Sequence, residues 1–219
     1  MSQIIIGFTT EGSTDIRFLS SIIQRTFVAV GFECTKEIEI IEPVIHIEKK
    51  KGSFAEQILT CSKDAFSKGV MVFCIHVDAD GQDDVRAFET QINPALALVI
   101  EELNACTNVV PVVPVQMTES WMLADKNLLK EEIGTDMTDS VLGISRHPES
   151  IPDPKETIAE AIRIARAPLG KRRRKDLNIS ELYLPIGQKI SLEILDTLES
   201  YQKFKDAVRN AYRQLNYLK

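Results

Sequence analysis

The chain has 219 residues, 44% of them hydrophobic and 26% charged, with a net charge of −6. That composition supports a buried core and excludes a disordered or low-complexity chain. No apolar run approaches the roughly 18 residues of a membrane span. The opening "MSQIIIGFTTEG" has neither a basic start nor a small-residue cleavage site, so a cytoplasmic protein with no membrane partner is expected.

Cys34, Cys61, Cys74 and Cys106 form no CxxC pair and sit in apolar stretches. They read as reduced core residues. The charge is unevenly spread. Residues 1–110 hold 9 Lys and Arg against 16 Asp and Glu, whereas residues 151–219 hold 14 against 9. An acidic half and a basic end suit different tasks, metal binding and phosphate binding.

The first half alternates strand and helix signals. "QIIIGFT" reads as a strand. "STDIRFLSSIIQRTFVAVG" follows as a helix, its Ile16, Leu19, Ile22 and Ile23 on one face. "EIEIIEPVIHIE" alternates as a second strand, and "SFAEQILTCSKDAFSKG" is a second helix stopped by Gly69. "VMVFCIHVD" is near-continuously apolar, the mark of a strand buried on both faces. "DDVRAFETQINPALALVIEELNAC" reads as a helix that Pro94 starts or kinks midway. "NVVPVVPVQ" is a fourth strand, and its prolines favour an edge. Such alternation predicts an α/β fold with a mostly parallel sheet over residues 1–150.

The second half changes character. "ESWMLADKNLLKEEIG" is predicted helical, "HPESIPDPKET" is a proline-rich linker, and "PKETIAEAIRIARAPLG" is a helix. The basic loop "KRRRKD" and a helical stretch from "SLEILD" to "LNYL" end the chain. Residues 151–219 therefore read as a basic helical extension.

Ligands of parallel α/β sheets bind beyond the carboxyl ends of the strands, and acidic residues fall there. Glu11 follows the first strand, with Asp15 four residues on. Asp78 and Asp80 end the third strand as "HVDADG", and alternation points both the same way. Glu119 follows the fourth strand. Crowded carboxylates repel one another, a cost that a bound Mg²⁺ or Mn²⁺ removes. Such ions activate water and stabilise a phosphoryl transition state.

The stretches "IIIGFTTEGSTDIRFL" and "VFCIHVDADG" carry a resemblance. A hydrophobic strand ending in Glu, followed by a later strand ending in DxD, resembles the Toprim family of topoisomerases, primases and OLD-type nucleases. The resemblance covers residues 1 to about 125 and implies a metal-dependent nuclease. Glu11 would serve as general base or metal ligand. Asp78 and Asp80 would be catalytic metal ligands, and Asp15 and Glu119 would complete the metal set. The OLD-type members also use a late lysine, for which Lys155, Lys171 and Lys175 are candidates. "VPVQMTESWMLAD" and "HPESIPDPK" are more narrowly similar to an uncharacterised Toprim-like family with ATPase neighbours in defence-type gene clusters. No GxxxxGK[ST] motif occurs, so any ATP-driven step needs a separate subunit.

Lys171, Arg172, Arg173, Arg174 and Lys175 pack five cations into one loop. They read as a nucleic-acid contact or as a solvated loop. Trp121 reads as core rather than as a base-stacking residue. His76 shares a face with Asp78 and reads as a core histidine or as support for a ligand. The expected function is a phosphodiesterase acting on DNA or RNA. The alternative is a non-catalytic or conditionally active subunit that docks an ATPase, and a homo-oligomer fits either.

Overall fold

A computed structural model describes residues 2–170 and 177–219. The predicted α/β class is what the chain forms: parallel strands flanked by helices. Strand β1 (Ser2–Ile4) pairs in parallel with β3 (Ile38–Ile40). The main sheet has four strands, β2 (Ile6–Thr9), β4 (Ile45–His46), β5 (Val72–His76) and β6 (Val109–Val112). Their order is β4-β2-β5-β6, all parallel. The proline-containing β6 lies at an edge, as its lost N–H groups require.

Two predicted strands each divide. The first breaks at Ile5, so β1 and β2 pair with different neighbours. The second breaks at Pro43, which no ladder accommodates.

Helix α1 (Ser13–Gly31) buries Phe18, Leu19, Ile22, Ile23, Phe27 and Val30 along one stripe. Helix α2 (Phe54–Ser67) starts at Ser53, whose N–H donates to Glu56 Oε2 at 2.8 Å. The third predicted helix is interrupted. It runs as α3 (Val85–Ala87), a π turn (Phe88–Ile92) and α4 (Asn93–Ile100). Pro94 has no N–H for the carbonyl four residues back, and the turn before it widens. The helix predicted over 119–134 is two, α5 (Thr118–Met122) and α6 (Lys126–Ile133). Asp125 separates them by accepting the Leu128 N–H at 2.9 Å.

The sheet divides two cores. On one side Val72 and Cys74 pack with α1, and on the other Phe73, Ile75 and Val77 pack with α2 and α4. The later helices are α7 (Pro154–Arg166), α8 (Tyr183–Lys189), α9 (Leu192–Leu195) and α10 (Glu199–Gln214). Their Tyr183, Ile186, Tyr201, Phe204, Val208 and Tyr212 share the core of α1. Trp121 is fully buried there, donating from Nε1 to Ser200 Oγ at 2.7 Å. The four cysteines are free thiols. Among the described residues, no helix is long and apolar enough to cross a membrane.

Candidate functional site

The parallel order sends the carboxyl ends of β4, β2 and β5 to one edge, with Glu11 beyond the central strand β2. Asp15 lies in the first turn of α1, and its Oδ2 accepts the Gly12 N–H at 2.9 Å. That bond fixes the carboxylate over the strand–helix turn and complements the positive end of the helix.

His76, the last residue of β5, is 1% exposed. Its Nε2 lies 3.1 Å from Asp78 Oδ1 and 3.0 Å from Thr118 Oγ1. Asp78 Oδ1 also accepts the Thr118 N–H at 2.8 Å and the Thr118 hydroxyl at 3.2 Å. With a proton on Nε2, the imidazole donates to this carboxylate. On the ring's other side Nδ1 has no hydrogen-bond partner among the described residues and stands 3.9 Å from Asp15 Oδ2. His76 therefore lies between two carboxylates supplied by different strand ends.

Asp78 is the electrostatic hub. Burial raises the carboxyls of Glu11, Asp15 and Glu119, and the charge of Asp78 raises each further. His76 partly offsets the first two. Burial pushes the His76 imidazole down, but the hydrogen bond and charge of Asp78, with Asp15 and Glu11, outweigh it and leave it raised.

The DxD residues are not equivalent. β5 ends before them, although the chain stays paired with the segment after β6: Ala79 N donates to Pro114 O and Asp80 N to Gln116 O. Asp80 and Gln116 both take the left-handed conformation, φ +51° and +62°. Strand alternation therefore stops at Asp80, which is exposed, unlike half-buried Asp78. Its charge still acts on Glu11.

Glu119 is also offset. It sits on α5, 4% exposed, and accepts the Tyr183 hydroxyl proton. Lys155 Nζ stands 3.9 Å from its Oε1. Of the three candidate lysines, Lys155 reaches the site. Lys171 and Lys175 lie outside the described residues, as do Arg172, Arg173 and Arg174.

The site thus groups Glu11, Asp15 and Asp78 around His76, with Asp80 and Glu119 on its flanks. Among the described residues, no three histidine, cysteine or carboxylate side chains are gathered as a ready-made metal ligand set. Sequence reasoning missed Lys49, Thr118 and Tyr183. Lys49, three residues beyond β4, acts on Glu11 with its charge. Position after a strand end was a usable signal for Lys49 and Thr118. Tyr183 reaches Glu119 only through tertiary packing.

These features define an α/β protein with a carboxylate cluster at the carboxyl edge of a parallel sheet. The family model described as a domain of unknown function (DUF4276) matches residues 10–210, and the chain belongs to that family. The matched span includes all five acidic residues and the helices that cover α1. No curated protein and no solved structure matches the chain.

Proposed function

We propose that the chain is a Mg²⁺- or Mn²⁺-dependent phosphodiesterase acting on DNA or RNA, with its centre at Glu11, Asp15 and Asp78. The observation that carries this reading is the buried His76, held between Asp15 and Asp78, its Nδ1 facing Asp15 at 3.9 Å with no hydrogen-bond partner among the described residues. Two further carboxylates, Asp80 and Glu119, and two lysines, Lys49 and Lys155, surround that centre.

The residues suit a hard divalent cation. Their donors are oxygens, and burial, with the added charge of Asp78, raises the carboxyls of Glu11, Asp15 and Glu119. Mg²⁺ keeps several waters and needs only one or two carboxylates beside the substrate phosphate, so a closed protein cage is not required. Glu11 and Asp78 would hold the ion, with Asp80 at the rim. When bound, it supplies Lewis-acid stabilisation of phosphoryl charge and lowers the pKa of a bound water.

The chain's own groups would do the rest. Glu11, whose carboxyl burial raises, would alternatively take the proton of the attacking water. His76 and Thr118 fix the direction of Asp78. Lys155 places a cation beside the cluster for the substrate phosphate.

The test incubates the purified chain with end-labelled DNA and RNA oligonucleotides in Mn²⁺. Cleavage is expected from wild type and not from Asp78→Asn, whose fold is checked by circular dichroism. An inert wild type whose melting temperature also ignores Mn²⁺ would overturn the reading.

A further inference from the structure

Two cations flank the carboxylate cluster, Lys49 on the β4 side and Arg86 on the α3 side, and neither forms a salt bridge among the described residues. Lys49 stands beyond β4, the parallel neighbour of β2, on the Glu11 side of the sheet edge. It is half-buried, with its ammonium 5.0 Å from the centre of the Phe54 ring. Lys50 pairs with Asp64 at 3.1 Å, but Lys49 forms no salt bridge among the described residues. Burial opposes its charge, and Glu11 and Asp15 offset that only in part; an incoming anion in direct contact relieves the remainder.

Arg86 occupies the other side, on α3 beyond β5. Its guanidinium donates no hydrogen bond and forms no salt bridge among the described residues. Only its backbone carbonyl is used, accepting Thr90 Oγ1 at 2.8 Å. With Ala79, Asp80, Thr90 and Gln91 it lines a cavity of ≈ 140 Å³. Thr90 and Gln91 belong to the π turn, which brings them to the wall that carries Arg86.

The order across the sheet edge is therefore cation, carboxylates, cation. β4 and β5 are separated by β2 alone. At about 4.8 Å per strand, β4 and β5 stand roughly 10 Å apart. An acidic centre repels a polyanion unless cations hold the strand on both sides.

We propose that Lys49 and Arg86 bind the phosphates on either side of the scissile phosphodiester, so that one strand lies across the sheet edge from the β4 side to the α3 side. The inference rests on the phosphodiesterase reading. It adds the path of the substrate and two residues that hold it.

The experiment measures binding of a fluorescein-labelled oligodeoxynucleotide and an oligoribonucleotide of the same sequence, in Mg²⁺, to the full chain carrying Asp78→Asn to prevent cleavage. Each phosphate contact on a single strand contributes roughly 0.7 to the slope of log K against log salt. Lys49→Met and Arg86→Met should each lower that slope by about 0.7, and together by about 1.4. Lys49→Arg and Arg86→Lys should restore it, and Lys36→Met, before β3 at the opposite edge, should leave it unchanged. A slope reduction with one oligonucleotide alone assigns the strand to DNA or to RNA. If the parent binds and both Met variants keep its slope, the path is wrong while the phosphodiesterase reading stands. If the parent binds neither oligonucleotide and wild type cleaves neither in Mn²⁺, that reading falls and the inference with it.

Discussion

Tyr183 donates its hydroxyl proton to Oε1 of Glu119, which ties a helix near the end of the chain to the flank of the carboxylate site. The carboxylate is almost fully buried, and its cationic neighbour, Lys155, is exposed. Removing the hydroxyl leaves a buried charge short of a donor, which costs about 1–3 kcal/mol. Tyr183→Phe should therefore lower the urea midpoint at neutral pH. A Tyr183→Phe, Glu119→Gln double variant should recover part of the loss, because a neutral amide is cheaper to bury. An unchanged midpoint in the single variant would show that the bond contributes nothing.

The pH dependence of stability follows from the same group of side chains. The carboxyls of Glu11, Asp15 and Glu119 are raised, chiefly by burial. Across the window between the ordinary carboxylate range and their raised values, the folded state holds protons more tightly than the unfolded chain. Stability there increases as pH falls. His76 is raised too, because Asp78, Asp15 and Glu11 outweigh its burial. Its stabilisation is complete below the ordinary imidazole value of about 6.5 and is lost as pH rises through its folded value. Both effects have the same sign. In EDTA, the melting temperature should rise through His76 as pH falls from about 8 to about 6, and Glu119→Gln should weaken the dependence at the carboxylate end of the profile. Glu33 acts oppositely but lower: its hydrogen bond to Arg209 depresses its carboxyl, and that contribution is lost as pH falls through the carboxylate range. A melting temperature that is flat or rising with pH above 6 would contradict the assignment.

The sheet and its acidic edge were legible in the sequence because both depend on local pattern. The apolar run at Val72–His76 marks a strand buried on both faces, and the stripe from Phe18 to Val30 marks the helix over it. Glu11, Asp15 and Asp78 could be placed from strand ends alone. The role of Asp80 was less legible, because period-two reasoning assumes that the strand continues. The chain instead turns left-handed at Asp80, opposite a second left-handed residue, Gln116. The partners Thr118, Lys155 and Tyr183 lie 40 to 105 residues beyond Asp78 in the chain; Tyr183 is brought in by α8 packing on α1, and Lys155 by α7 packing on α5.

That packing has a tight point at Gly187 on α8. A Cβ there would lie 2.6 Å from Phe18 O and 2.8 Å from Phe18 Cα, both backbone atoms of α1. Arg25 fastens the same contact, donating to Gly187 O at 2.9 Å and to Ile190 O at 2.7 Å. Backbone cannot yield as a side-chain tip does, so Gly187→Ala should force α8 off α1 and cost about 1–3 kcal/mol or more. Gly31, at the end of α1, meets only ordinary contacts at 3.6 Å and 3.8 Å. Gly31→Ala should be neutral or stabilising by up to about 1 kcal/mol, through helix propensity. Equal denaturation midpoints for the two variants would refute the steric argument.

Replacing Asp80 by Asn separates a metal-site role from a structural one. Asp80 takes a left-handed backbone, which asparagine tolerates about as well as aspartate. Its side chain is exposed, so the substitution opens no cavity, and it removes a charge that raises Glu11. Without metal, Asp80→Asn should therefore melt at the wild-type temperature or above it. With Mn²⁺ the order should reverse. A ligand that binds only the folded state stabilises it by RT ln(1 + [L]/Kd), about 2.7 kcal/mol at a hundredfold excess over Kd. Wild type should gain that increment and the weaker-binding variant less of it. Melting curves of both proteins in EDTA, Mg²⁺ and Mn²⁺ supply the comparison. If Asp80→Asn melts lower in EDTA and neither cation shifts wild type, the aspartate is a turn residue and the carboxylate edge does not hold a metal.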